Sequence, residues 1–220
     1  LHNVAHSFPT RRSSDLRLLG ADESLSARAG CAVLGLSSGS LGEADPIPGT
    51  TFGSASDPVP AFIGYTASGG ADGASIGDLS RVTLELTAPA DAKSFSFDFV
   101  FLSAEYPNYV NSNFNDTFYA ILEAESTNDG APTNISFDGN GYSIEVDNNY
   151  FQNPYHPCRE AGSGFDRPNG GGSTCWLRTH WPIEGGERFR LSFTIHDEGD
   201  TAYSSTVLLD NFQWHDFEAS

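Results

Sequence analysis

Apolar and polar residues alternate with a period of two in several separate runs, the pattern of strands that bury one face and solvate the other. The clearest run is KSFSFDFVFLSAEY, in which Phe95, Phe97, Phe99 and Phe101 share one face and Ser94, Ser96, Asp98 and Val100 the other. Burying each phenylalanine contributes on the order of 2 kcal/mol, so this segment is expected at the centre of the core. RVTLELTAP (residues 81–89) alternates Val82, Leu84 and Leu86 with Thr83, Glu85 and Thr87, a half-buried strand. TFYAILEAE (117–125), GYSIEVDNN (141–149), the run Phe189, Leu191, Phe193 and Ile195, and STVLLDNFQWHDF (205–217) read as further strands. Gly, Pro, Asn and Ser fill the connections, and no long helical period occurs. The pattern predicts an all-β fold, an antiparallel two-sheet β-sandwich of jelly-roll type, in a single domain over residues 50–216. Residues 17–49 are expected to be poorly structured: 17–30 are weakly amphipathic, and only CAVLGL (31–36) has strand character.

Composition narrows the function classes. Eleven Lys and Arg face twenty-nine Asp and Glu, a formal net charge of -18. Such a chain is repelled by nucleic acid and by anionic lipid surfaces, and no run of eighteen apolar residues is present to span a membrane. The acids are not evenly spread. In residues 103–122, SAEYPNYVNSNFNDTFYAIL, the residues Glu105, Asn115 and Asp116 lie between two apolar runs, and residues 196–212, HDEGDTAYSSTVLLDNF, repeat that character. A lone carboxylate at such a position is costly to desolvate, and basic residues are too few to pair them all. Ca2+ takes six to eight oxygens from carboxylates, amides and carbonyls. Glu105, Asn115, Asp116, Asp197, Asp200 and Asp210 are therefore candidate ligands of a structural calcium ion joining the two stretches. The competing reading is two ordinary turns.

Three cysteines set the compartment. Cys158 and Cys175 lie in a Gly-, Pro- and Asn-rich loop and are expected to pair, a closure worth about 3 kcal/mol on the chain-entropy view; Cys31 is left over. A disulfide implies an oxidising, extracytoplasmic location. Tyr155, His156, Trp176 and Trp181 cluster around this loop and are candidate ligand contacts, suited to stacking on sugar rings. Residues 1–16, LHNVAHSFPTRRSSDL, resemble translated sequencing-adapter sequence and are set apart as artefactual. With no Met anywhere, the chain is expected to be a piece of a longer product whose signal peptide and anchor lie elsewhere.

The Ser103, Glu105, Tyr106, Pro107, Phe114, Asn115, Asp116 and Phe118 pattern resembles the signature of the choice-of-anchor L domain family of bacterial surface proteins. A later block, Asp197, Gly199-Asp200, Ser204-Ser205 and Leu209-Asp210-Asn211-Phe212, is similar to that family's second motif. It departs at Ser204, where the family usually carries Asp, which implies that one oxygen ligand is either lost or replaced by a hydroxyl. The resemblance implies an extracellular or cell-surface β-sandwich module and says little about its ligand. A non-enzymatic role in adhesion or matrix interaction is the expectation. The alternatives are a carbohydrate-binding module, or a glycoside hydrolase using two of the acids at a suitable separation. A serine hydrolase is disfavoured by the absence of a Gly-x-Ser-x-Gly elbow.

Overall fold

The computed structural model describes residues 17–20, 27–39, 76–139, 141–148, 150–151, 165, 171–199 and 203–219. Eleven strands are found among them: β1 (Arg17–Gly20), β2 (Ala32–Ser37), β3 (Ile76–Thr87), β4 (Ser94–Ser103), β5 (Thr117–Glu123), β6 (Thr133–Asn134), β7 (Ile144–Glu145), β8 (Gly172–Ser173), β9 (Leu177–Pro182), β10 (Arg188–Glu198) and β11 (Ser205–His215). They form two antiparallel sheets. In the first, the order is β1-β2-β11-β4, and the far edge of β4 is shared by β8 and β9; in the second, the order is β3-β10-β5-β6, with β7 also on β5. The all-β, two-sheet sandwich expected from the alternation is the fold.

The most apolar long strands, β4, β10 and β11, stand inside their sheets, where both faces and both edges are covered, whereas the half-buried β3 forms an edge. β4 is buried along its whole length. Its inward phenylalanines meet the other sheet directly: Phe97 lies 4.9 Å from Phe193, Phe99 5.0 Å from Phe118 and Phe95 5.6 Å from Phe189, ring centre to ring centre. Leu36, Val207, Leu209, Leu122 and Ile195 fill the same layer.

Two features depart from the sequence pattern. β1 lies within residues 17–30, where no strand was expected, and pairs with β2, the strand that CAVLGL forms, which is inserted between β1 and β11. CAVLGL gains its place because Leu34 and Leu36 face the common core while Val33 faces outward. The outward face of β4 is also buried. Val100 and Leu102 join Val33, Ala104, Phe165 and Leu208 in a second, smaller apolar cluster on that side, and Ser94, Ser96 and Asp98 are covered beside it. No helix among the described residues is long and apolar enough to cross a membrane.

Candidate functional site

Beyond the last phenylalanine layer, the inward positions of the strands become polar together. Ser103 and Glu105 continue the phase of Phe101, Asp116 that of Phe118, Asp197 that of Ile195, and Ser205 that of Val207. All five are at most 2% exposed, so the sandwich closes at this end with a buried polar plug. The backbone of Glu105 is fixed by its own N–H, which donates to Ser103 Oγ at 3.1 Å. The chain then passes the cis Tyr106–Pro107 bond and returns at Asp116, whose N–H donates to Glu105 Oε2 at 3.3 Å.

Asp116 is the hub of the plug. Its Oδ2 accepts from Ser205 Oγ at 2.6 Å and its Oδ1 from the Glu198 N–H at 3.2 Å, so one carboxylate ties β5 to β10 and to β11 across the two sheets. Burial and the neighbouring Glu105 charge raise its pKa well above the usual carboxylate range, against the lowering effect of bonds from Ser205, Asp197 and the Glu198 backbone. Asp197 is pushed up to about 10, first by burial and then by the Asp116 charge, with Ser38 opposing and Asp78 adding to the rise. Its Oδ1 is buried without a hydrogen-bond partner. An ionised pair of this kind, with no Lys or Arg among the groups acting on it, is electrostatically unbalanced.

Three of the predicted ligands, Glu105, Asp116 and Asp197, therefore meet. Asn115 does not join them: as the strand neighbour of Asp116 it points the other way, where its Oδ1 accepts from the Asp147 N–H at 3.1 Å and its side chain also bonds Glu145. Asp210 is likewise elsewhere. It sits five residues beyond Ser205 on β11, about 17 Å at the usual strand rise, where Oδ2 accepts from the Arg28 and Ala29 N–H groups. Asp200, Tyr155, His156 and Cys158 lie outside the described residues. Cys175 is a half-cystine and Cys31 is free and exposed. Trp176 lies under the Arg28 guanidinium, 5.7 Å from ring centre to Cζ, and Trp181 packs on the core with Nε1 donating to Thr127 Oγ1 at 3.2 Å.

Sequence reading missed two further groups. Glu145, His196 and Glu198 are buried close to the plug. Glu145 is pushed up to about 8, chiefly by burial and further by Asp147, Glu198 and Asp138, and burial lowers His196 to about 4. On the outward face of β4, Asp98 accepts from Arg28 Nε at 2.6 Å, Arg178 Nε at 2.6 Å and Nη2 at 3.0 Å, and Asn211 Nδ2 at 3.0 Å. Among the described residues, no group of three or more His, Cys, Asp or Glu side chains is arranged to hold a metal ion. Hydroxyl and backbone oxygens would have to supply much of any cation shell at the plug.

The sequence profile of the Choice-of-anchor L domain matches residues 66–213, well over half of the chain. The chain belongs to the Choice-of-anchor L domain family. Both halves of the plug, Glu105 with Asp116 and Asp197 with Ser205, fall inside the region matched by the Choice-of-anchor L domain. No curated protein matches the chain. A solved structure described as that of a non-crystalline cellulose specific carbohydrate-binding module, CBM28, aligns with 91% of this chain and 80% of its own length, at 10% identity and a TM-score of 0.40. A likeness of that size carries no argument about the ligand of this Choice-of-anchor L domain.

Proposed function

We propose that this chain is a non-enzymatic module displayed outside the cell, whose two sheets are clamped at one end by Ca2+ and whose role is adhesion or matrix interaction. Membership of the Choice-of-anchor L domain family supports the surface location, as does the half-cystine Cys175, for which Cys158 is the partner we propose. The observation that carries the cation is Asp197 Oδ1, a buried carboxylate oxygen without a partner beside a second buried carboxylate. Asp116 and Asp197 would be the carboxylate ligands, with hydroxyls such as those of Ser38 and Ser205 and backbone oxygens completing the shell. A hard cation suits an all-oxygen set and would let the buried acids ionise without repulsion. Bound acids of this kind are poor proton donors, which favours a structural role over glycoside hydrolysis.

The test is a thermal melt in excess chelator and again with Ca2+, for the parent chain and for Asp197→Asn. The reading requires the parent to lose several degrees in chelator and recover them with Ca2+, while Asp197→Asn responds to neither. A parent melt indifferent to chelator sinks it.

One observation favours the second reading, a carbohydrate-binding role. Phe137 is 45% exposed and stands edge-on to Trp181 at 6.0 Å, an aromatic surface on which a sugar ring would stack.

A further inference from the structure

At the opposite end of β4 from the polar plug, its outward face carries two histidines that the calcium clamp does not use. His180 on β9 and His215 on β11 flank β4, opposite Ser96 and Ser94 respectively. Their rings approach to 5.0 Å between centres. Each Nε2 is tied to a serine that is not its register partner: His180 Nε2 to Ser94 Oγ at 2.8 Å and His215 Nε2 to Ser96 Oγ at 2.8 Å.

The proton inventory fixes the tautomer of the first ring. Ser94 Oγ also donates to the Phe217 carbonyl oxygen at 2.6 Å, and a serine hydroxyl has one proton to give. At His180, Ser94 must therefore accept, and Nε2–H must donate. Neutral His180 then carries its lone pair on Nδ1. Ser96 can accept from His215 in the same way. This is how metal-binding imidazoles are held, with one nitrogen pinned by a hydrogen bond and the other left to coordinate. A cleft of about 270 Å3, lined by His215 with Asp91, Asp216 and Phe217, adjoins the pair. The Arg178 guanidinium is already engaged: both its Nε and Nη2 donate to Asp98.

We infer that His180 and His215 form an open, two-imidazole site for a divalent transition-metal ion of the Zn2+ and Cu2+ class, completed by water. Imidazole selects these ions over Ca2+, so the site is chemically distinct from the oxygen-lined plug. Two protein nitrogens are also compatible with the absence, among the described residues, of any three-ligand group. His196, buried and stacked on Tyr119, does not take part.

The test is Cu2+ titration of the whole chain, followed by calorimetry and by electron paramagnetic resonance, on the parent, His180→Gln, His215→Gln and Asp197→Asn. The parent should bind one equivalent with couplings from two imidazole nitrogens. Either histidine variant should bind at least ten-fold more weakly, and Asp197→Asn should bind as the parent does. Removing residues 1–16 and replacing His156 by Gln in the parent clears the competing imidazoles, so that the nitrogen count decides the matter even if a substitution at His180 or His215 prevents folding. A parent spectrum without two imidazole nitrogens overturns the inference. So does unchanged binding in both histidine variants, which would put the ion on His2, His6 or His156.

Discussion

Replacing Asp98 by asparagine isolates the charge of a carboxylate that holds the outer face of the first sheet together. The Asp98 side chain is 2% exposed, whereas those of its partners Arg28 and Arg178 are 43% and 49% exposed. Burial alone would raise its pKa, but hydrogen bonds from Arg178, Asn211 and Arg28 outweigh that and bring it from 3.8 down to about 2. A shift of nearly two units corresponds to roughly 2 kcal/mol of differential stabilisation, and the half-exposed arginines make this an upper figure. Because the folded-state pKa is depressed, this stability is fully present above about pH 4 and is lost as pH falls through about 2. Asp98→Asn is therefore expected to lose roughly 2 kcal/mol at pH 7, about 4–8 °C for a chain of this size, and to match the parent near pH 2. Urea unfolding at pH 7 and at low pH, with added salt held low, measures both. Equal stability at pH 7, or a deficit that persists unchanged at pH 2, would refute the electrostatic account of this hub.

Other outcomes follow from particular contacts. Gly199 has φ of +89°, and a Cβ there would meet the Asn113 carbonyl oxygen at 2.6 Å, so Gly199→Ala is expected to cost about 1–3 kcal/mol in denaturant unfolding and to lower any Ca2+ response. Phe97→Ala removes a ring at the centre of both sheets and should cost about 3–5 kcal/mol, read in the same assay. If the second functional reading is right, binding on a glycan array should fall on Phe137→Ala or Trp181→Ala and stay unchanged on Trp176→Ala; silence across the array counts against it.

The period-two pattern carried the fold because the longest apolar runs map onto β4, β5, β10 and β11, which lie inside their sheets, and the half-polar run 81–89 onto the edge strand β3. The same parity would have sharpened the site. Glu105, Asp116 and Asp197 continue the inward phase of Phe101, Phe118 and Ile195, and they meet. Asn115 is one residue out of phase with Asp116, and Asp210 shares the outward phase of Leu208, so neither can face the plug. Other elements left no local trace. Asp98 reads as an ordinary solvated position because its partners Arg28 and Arg178 are 70 and 80 residues away in the chain. GYSIEVDNN looks like a full strand, yet only Ile144–Glu145 pair with β5; Val146 is buried in the common core beyond the ladder. β1 has no alternation to mark it and is recruited by the edge of β2, the CAVLGL strand, which itself pairs with β11.

Equilibrium Ca2+ binding to the metal-stripped chain, measured by calorimetry alongside Asp116→Asn and Asp197→Asn, bears most squarely on the clamp between the sheets. Saturable binding by the parent that both substitutions abolish, without loss of the folded state, is the predicted result. A parent that binds no Ca2+, or variants that bind as tightly as the parent, would show that the buried acids of the plug are held by shared protons alone.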